Sequence, residues 1–196
     1  MAFLNAPPLP KARKMLNGFF RIGLVALVLF FSSKVDLPAQ AEISREYQLK
    51  AIFLFNFAQF VDWPSDAFLE TQTPLTIGVL GDDPFDSYLD ETVRDEKVNG
   101  HPLVVQRFHR VEDIKACQIL FISRSETKRL EQILEDLKGR NILTVGETES
   151  FAKHGGMIQF ANEQNKIRFK INAEAAKAAN LTISSKLLHA AEIVEP

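Results

Sequence analysis

Apolar and polar positions recur along this chain with two different periods. Short apolar runs stand at Leu75–Leu80 (LTIGVL), 103–108 (LVVQRF), 118–123 (QILFIS) and 142–146 (ILTVG). Each is too short for a helix and carries β-branched residues, so each predicts a buried strand. Between them lie an amphipathic stretch at 85–93, a helical turn at 111–116 and a helix over 126–138. In that helix Leu130, Ile133, Leu134 and Leu137 form one apolar stripe, and Gly139 supplies its stop. Strands alternating with helices predict a parallel sheet covered on both faces.

The pattern changes style at the C-terminal end. Gly155-Gly156 leads into MIQF (157–160), and KIRFKIN (166–172) follows a polar turn. This predicts an antiparallel hairpin added to the sheet edge. Asn172 is placed to cap a last helix over 173–194, on which Leu181, Ser184, Ser185 and Leu188 share a face. The expected fold is a single-domain α/β Rossmann-like sandwich. Its central sheet is mostly parallel, with an antiparallel C-terminal hairpin and helices on both faces.

Upstream of the strands, Ser44 can cap a helix over 45–62 that ends FLFNFAQFVDWP. At 100° per residue Leu49, Ile52, Phe53, Asn56, Phe57 and Phe60 fall on one arc, which predicts the core face. Asn56 within that face needs hydrogen bonds to a strand end or loop backbone, because a buried unpaired amide costs about 1–3 kcal/mol. Pro64 disfavours the helical conformation at Trp63 and stops the helix. Asn56, Trp63 and Pro64 are therefore expected to be structural.

The first forty residues predict export rather than fold. Lys11, Arg13, Lys14 and Arg21 precede an apolar run of ten residues at 22–31, and Ala39 and Ala41 give a small-x-small site. The run is about half as long as a membrane-spanning helix requires. Residues 1–41 are thus expected to be a cleaved signal peptide, leaving 42–196 as one domain in the periplasm. That portion keeps eighteen of the 23 basic and twenty-four of the 25 acidic residues, a formal net charge of −6. A modestly acidic domain without a Lys/Arg cluster has no footprint for nucleic acid.

Candidate chemistry is sparse. Gly81-Asp82-Asp83-Pro84-Phe85 after the first strand is not a phosphate-binding glycine loop, and its aspartates would repel phosphate. Asp82 or Asp83 as a helix cap, with Pro84 in the first turn, explains it more simply. A phosphoacceptor site would need a third aspartate and a lysine at other strand ends, where Ser123-Arg124 and Gly146-Glu147 stand instead. His101, His109, His154 and His189 lie far apart, and Cys117 has no partner cysteine, so neither a metal nor a cofactor is expected. Glu147 and Glu149 are two acids without an orienting partner, and read as solvated loop charges. Cys117, at a strand entrance, reads as a small buried residue. Ligands of open α/β sheets gather beyond the carboxyl ends of the strands. A binding cleft for a partner or ligand is therefore expected at Gly81, Asp82, Ser123, Arg124, Gly146 and Glu147.

Taken in order, YQLKAIFLFNFAQFVDWP, PLTIGVLGDDPF, GRNILTVGE, GGMIQF and KIRFKINAEAAKAANLTISSKLLHAAEIV resemble the YfiR family over the whole of residues 42–196. Phe55, Asn56, Phe57, Trp63 and Pro64 match its aromatic helix, and Ile183, Ser184, Ser185, Leu187 and Leu188 its closing motif. The resemblance implies a periplasmic regulator rather than an enzyme. Such a protein binds the periplasmic sensor domain of an inner-membrane diguanylate cyclase and represses cyclic-di-GMP synthesis, hence biofilm formation. It also implies release by an outer-membrane lipoprotein, and a homodimer is expected. Some family members respond to redox state through disulfides, whereas Cys117 alone cannot form an internal bridge. The alternative expectation is a periplasmic small-ligand-binding or accessory module using the strand-end cleft.

Overall fold

The computed structural model describes residues 37–68, 72–164 and 166–195. The expected signal peptide lies mostly outside them. The chain divides into two compact units, Met1–Ala41 and Glu42–Pro196, and every described strand belongs to the second. Among the described residues no helix is long and apolar enough to cross a membrane.

Helix α1 (Leu37–Phe60) runs into the two-residue strand β1 (Val61–Asp62). After it come β2 (Leu75–Leu80), α2 (Tyr88–Val93), β3 (Lys97–Val98), β4 (His101–Phe108) and β5 (Ile119–Ile122). A 3₁₀ segment at Arg124–Arg129 leads into α3 (Leu130–Asp136), and β6 (Leu143–Gly146), β7 (Ile158–Glu163) and β8 (Lys166–Ile171) follow. The chain ends through α4 (Ala173–Ala178), β9 (Thr182–Ile183), α5 (Ser185–His189) and β10 (Glu192–Ile193).

The eight-stranded sheet has the order β10-β8-β7-β6-β5-β2-β4-β3. Strands β4, β2, β5, β6 and β7 are mutually parallel, and β7–β8 is the antiparallel hairpin. Every residue of β2, β5 and β6 is buried, as strands covered on both faces must be. One core packs α1, α2, α4 and α5 against Ile77, Val79, Phe121 and Val145; the other packs α3 against Leu80, Leu120 and Ile122. The α/β sandwich expected from the strand pattern is the fold. A short hairpin was missed: Asn99 and Gly100, at φ 52° and 89°, turn β3 back onto β4. Asn-Gly is a strong signal for that turn.

Local signals placed several boundaries. Gly139 takes φ 75° just beyond α3, where a side chain would be strained. The Asn172 side chain accepts a hydrogen bond from Ala175 N at 2.9 Å and caps α4. Cys117 is buried: its thiol donates to Ile119 O at 3.0 Å, and burial pushes its pKa up to about 12.

Several expectations fail. Ser44 does not cap the first helix, because α1 already begins at Leu37. The last helix is not continuous over 173–194. Asn180 turns left-handed (φ 57°), its N–H bonds back to Lys177 O, and Leu181 N–H bonds to Ala176 O, a C-terminal motif that closes α4. Ser184, expected mid-helix, instead caps α5, and its N–H donates to Phe60 O at 2.8 Å, tying the C-terminal segment to α1. Asp83 is not a helix cap: it accepts from Phe85 N at 2.8 Å, and α2 starts only at Tyr88. Finally, the core face of α1 is rotated. Lys50, Ala51, Leu54, Phe57, Ala58 and Val61 are buried, while Leu49 and Ile52 are 46% and 45% exposed. Asn56 is half-buried on the outer side, and among the described residues its amide makes no hydrogen bond.

Candidate functional site

Sheet order brings the expected strand-end residues together. The chain leaves β2 towards β4 and leaves β5 towards β6, so the connections part at the carboxyl ends of β2 and β5. Gly81-Asp82, Ser123-Arg124 and Gly146-Glu147 follow neighbouring strands, with Leu80 paired to Ile122 and Ile122 to Gly146. Ser123 N–H donates to Leu80 O at 3.0 Å, and Asp82 N–H to Ser125 Oγ at 3.0 Å. A Cβ on Gly81, which sits at φ 90°, would come within 2.3 Å of that Oγ. At Gly146 a Cβ would lie 2.4 Å from the Phe151 ring. Gly81 therefore lets the backbone meet the loop after the neighbouring β5, and Gly146 lets it meet the loop that follows its own strand, β6.

Glu147 departs from the expectation of a solvated loop charge. Its side chain is 2% exposed and is held by three donors. Tyr47 Oη–H donates to Oε1 at 2.7 Å, Lys50 Nζ donates to Oε2, and Arg124 Nε lies 3.3 Å from Oε1. Lys50, 3% exposed at its side chain, also meets Glu46 Oε1 at 2.5 Å and lies 4.6 Å from the Tyr47 ring centroid. The cluster holds two cations and two anions, so no net charge is buried with it. Glu149 is exposed.

The Tyr47 ring packs edge-on against Phe85 at 5.6 Å, and Ser44 Oγ donates to Tyr88 Oη at 3.5 Å. Residues 44–50 of α1 thus reach from the loop after β2 to the end of β6, across the strand ends. Burial, then the hydrogen bond and charge of Glu147, push the Tyr47 hydroxyl pKa well above the ordinary tyrosine range. Tyr47 remains a neutral donor at any physiological pH.

The neighbouring Asp83 and Asp90 are engaged by Arg107, whose Nε donates to Asp83 Oδ2 and whose Nη1 donates to Asp90 Oδ1, each at 2.8 Å. That guanidinium holds the Asp90 pKa below the usual carboxylate range. Asp82 is exposed, as is Arg124. At the opposite end of the sheet Trp63 Nε1–H donates to Gln118 O at 3.2 Å, and Pro64 precedes the 3₁₀ turn Ser65–Ala67.

Sequence reasoning missed Tyr47 and Lys50. The signal available was the spacing Glu46–Lys50, an i,i+4 ion pair on a helix otherwise apolar on several sides.

No curated protein matches the chain. Among solved structures, a conserved domain protein from Vibrio cholerae O1 biovar El Tor str. N16961 is similar, at 12% identity and a TM-score of 0.43. The match covers 61% of this chain and 54% of that one, so this chain spans about half that relative's length. The profile of the YfiR/HmsC-like family, by contrast, matches residues 47–192. That span holds both Lys50 and Glu147 and every strand from β1 to β9, and the chain belongs to the YfiR/HmsC-like family.

Proposed function

We propose that this protein is a periplasmic regulator that binds the periplasmic sensor domain of an inner-membrane diguanylate cyclase and represses cyclic-di-GMP synthesis. The observation that carries this reading is the family match over residues 47–192. The basic, apolar and small-residue pattern of residues 1–41 supports export to the periplasm. Binding one conformational state of the cyclase better than another would hold it there by differential affinity. Sequestration by an outer-membrane lipoprotein and a homodimeric state belong to the same proposal.

The geometry favours action through a surface over turnover or ligand capture at the strand ends. There Tyr47 and Lys50 already occupy the acceptor oxygens of Glu147. A ligand that reached Glu147 would have to displace α1 from a buried ion pair, which leaves Asp82 and Arg124 as the exposed members of the expected cleft. The small-ligand reading is therefore the weaker one.

The test is genetic and biochemical together. Deletion of the gene is expected to raise cellular cyclic-di-GMP, and the exported protein is expected to co-purify with a membrane diguanylate cyclase. Unchanged cyclic-di-GMP with no cyclase recovered would overturn the reading.

A further inference from the structure

We propose that the open edge of β8, residues 166–169, is a docking site for an extended segment of a partner protein in which acidic and apolar residues alternate. Strand β10 pairs only with Lys170 and Ile171. Among the described residues, the first four positions of β8 therefore have a strand on one side only, β7. A sheet edge offers a row of backbone donors and acceptors to an added strand, and side chains on alternate positions select what is added.

The side chains on this edge sort cleanly. Ile167 and Phe169 share the face of β8 that carries the buried Ile171, and both are only partly buried against the core. Phe53 of α1 lies 4.7 Å from the Phe169 ring, and Glu46 reaches Asn162, which is paired with Ile167. The turns of α1 between them, bearing Leu49 and Ile52, run alongside this stretch. Among the described residues the exposed large apolar side chains are Leu49, Ile52 and Ile193. The first two stand on the helix beside the edge, and Ile193 is paired with Ile171 on the strand that continues it. Apolar surface gathered at one place on an exported domain marks an interaction site.

The opposite face of the edge is basic. Lys166 and Arg168 are exposed and make no ion pair among the described residues. Glu163 stands across from Lys166 and also meets Lys170, which Glu192 holds as well; Arg168 stands across from Ala161. A strand added here would meet apolar side chains on one face and the exposed cations Lys166 and Arg168 on the other. A second copy adding its own β8 about a two-fold axis would set Lys166 and Arg168 near like charges, which is destabilising. An acidic partner segment gains where that self-pairing loses. The edge offers this chemistry whichever protein carries the segment.

The test uses the chain expressed from its own first methionine and purified after export, with two fluorescein-labelled octapeptides. One alternates valine with glutamate, the other valine with lysine. Two opposite-charge cross-strand pairs set against two like-charge pairs should favour the glutamate peptide by about tenfold in fluorescence anisotropy. In the K166E/R168E variant, whose changes are both on exposed side chains, the preference should reverse. Amide hydrogen exchange at 166–169 should slow when the glutamate peptide binds. The proposal is overturned if that peptide does not bind, if both bind equally, or if protection falls elsewhere. It is also overturned if sedimentation shows a dimer whose 166–169 amides are protected without peptide, which assigns the edge to a second copy. None of these readouts involves cyclic-di-GMP, so failure here and failure of the cyclase reading are separable.

Discussion

The two sides of α1 each carry an exception to the usual arrangement. Its inner side carries a lysine, 3% exposed, clamped by Glu46 and Glu147. Its outer side carries Leu49 and Ile52, each nearly half exposed. Burying a charged pair is seldom a net gain over apolar packing, and leaving large aliphatics in water forgoes burial worth about 1.5–3 kcal/mol each. A helix selected for stability alone would carry an apolar residue at position 50 and polar ones at 49 and 52. The inner ion cluster fixes the rotation of α1 over the strand ends, and the outer apolar side is thereby left free beside the β8 edge.

The contrast can be broken most severely from the inside. Glu147→Ala leaves Lys50 buried with only the partly exposed Glu46, and should cost about 3–5 kcal/mol in urea unfolding. The double variant Lys50→Met, Glu147→Leu removes both buried charges and should recover most of that loss. If the double variant is as unstable as the single one, the ion pair is not what fixes the helix. Next in size, Tyr47→Phe removes one donor to Glu147 and should cost about 1.5–3 kcal/mol, without changing secondary structure by circular dichroism.

A third prediction uses the other face of the sheet as a control. Cys117 packs in the core beneath α3, away from α1, with its thiol pKa raised from 9.0 to about 12. Between those values the unfolded chain has released this proton and the folded one has kept it. This group's contribution is therefore complete below pH 9 and falls as pH rises, by about 1.4 kcal/mol per unit up to pH 12. Cys117→Ala should remove that slope between pH 9 and 10, below the range where the raised Tyr47 hydroxyl adds its own, whereas Tyr47→Phe should leave it in place there. The smallest effect is expected outside. Leu49→Ser with Ile52→Ser, two surface substitutions, should cost no more than about 1 kcal/mol in unfolding free energy relative to the unsubstituted chain. A loss above about 2 kcal/mol would place that side in a core and remove the contrast.

Much of the fold was legible because its signals are local. The apolar runs at 75–80, 118–123 and 142–146 had to be strands buried on both sides, and Asn172 and Gly139 marked helix ends. The sheet then brought the candidate residues Gly81, Asp82, Ser123, Arg124, Gly146 and Glu147 to one end, as an alternating strand–helix pattern requires. Three things were not legible. Asn180 turned left-handed and ended a helix whose apolar spacing continued past it. The rotation of α1 was ambiguous because apolar residues occur on nearly all its sides. Glu147 looked solvated because the groups that hold it are far away in the chain, Lys50 being 97 residues distant.

By itself the sequence determined the central strands and the helix ends at Gly139 and Asn172, and from the alternation the parallel sheet and its C-terminal hairpin. These follow from stereochemistry acting over a few residues. Tertiary structure alone decided which side of α1 faces inward and that the strand ends are closed by Tyr47 and Lys50. It also decided that the exposed apolar side chains collect beside an open strand edge. The physical reason is that a charge is buried only against its partner, and here the partner lies on another element of the fold.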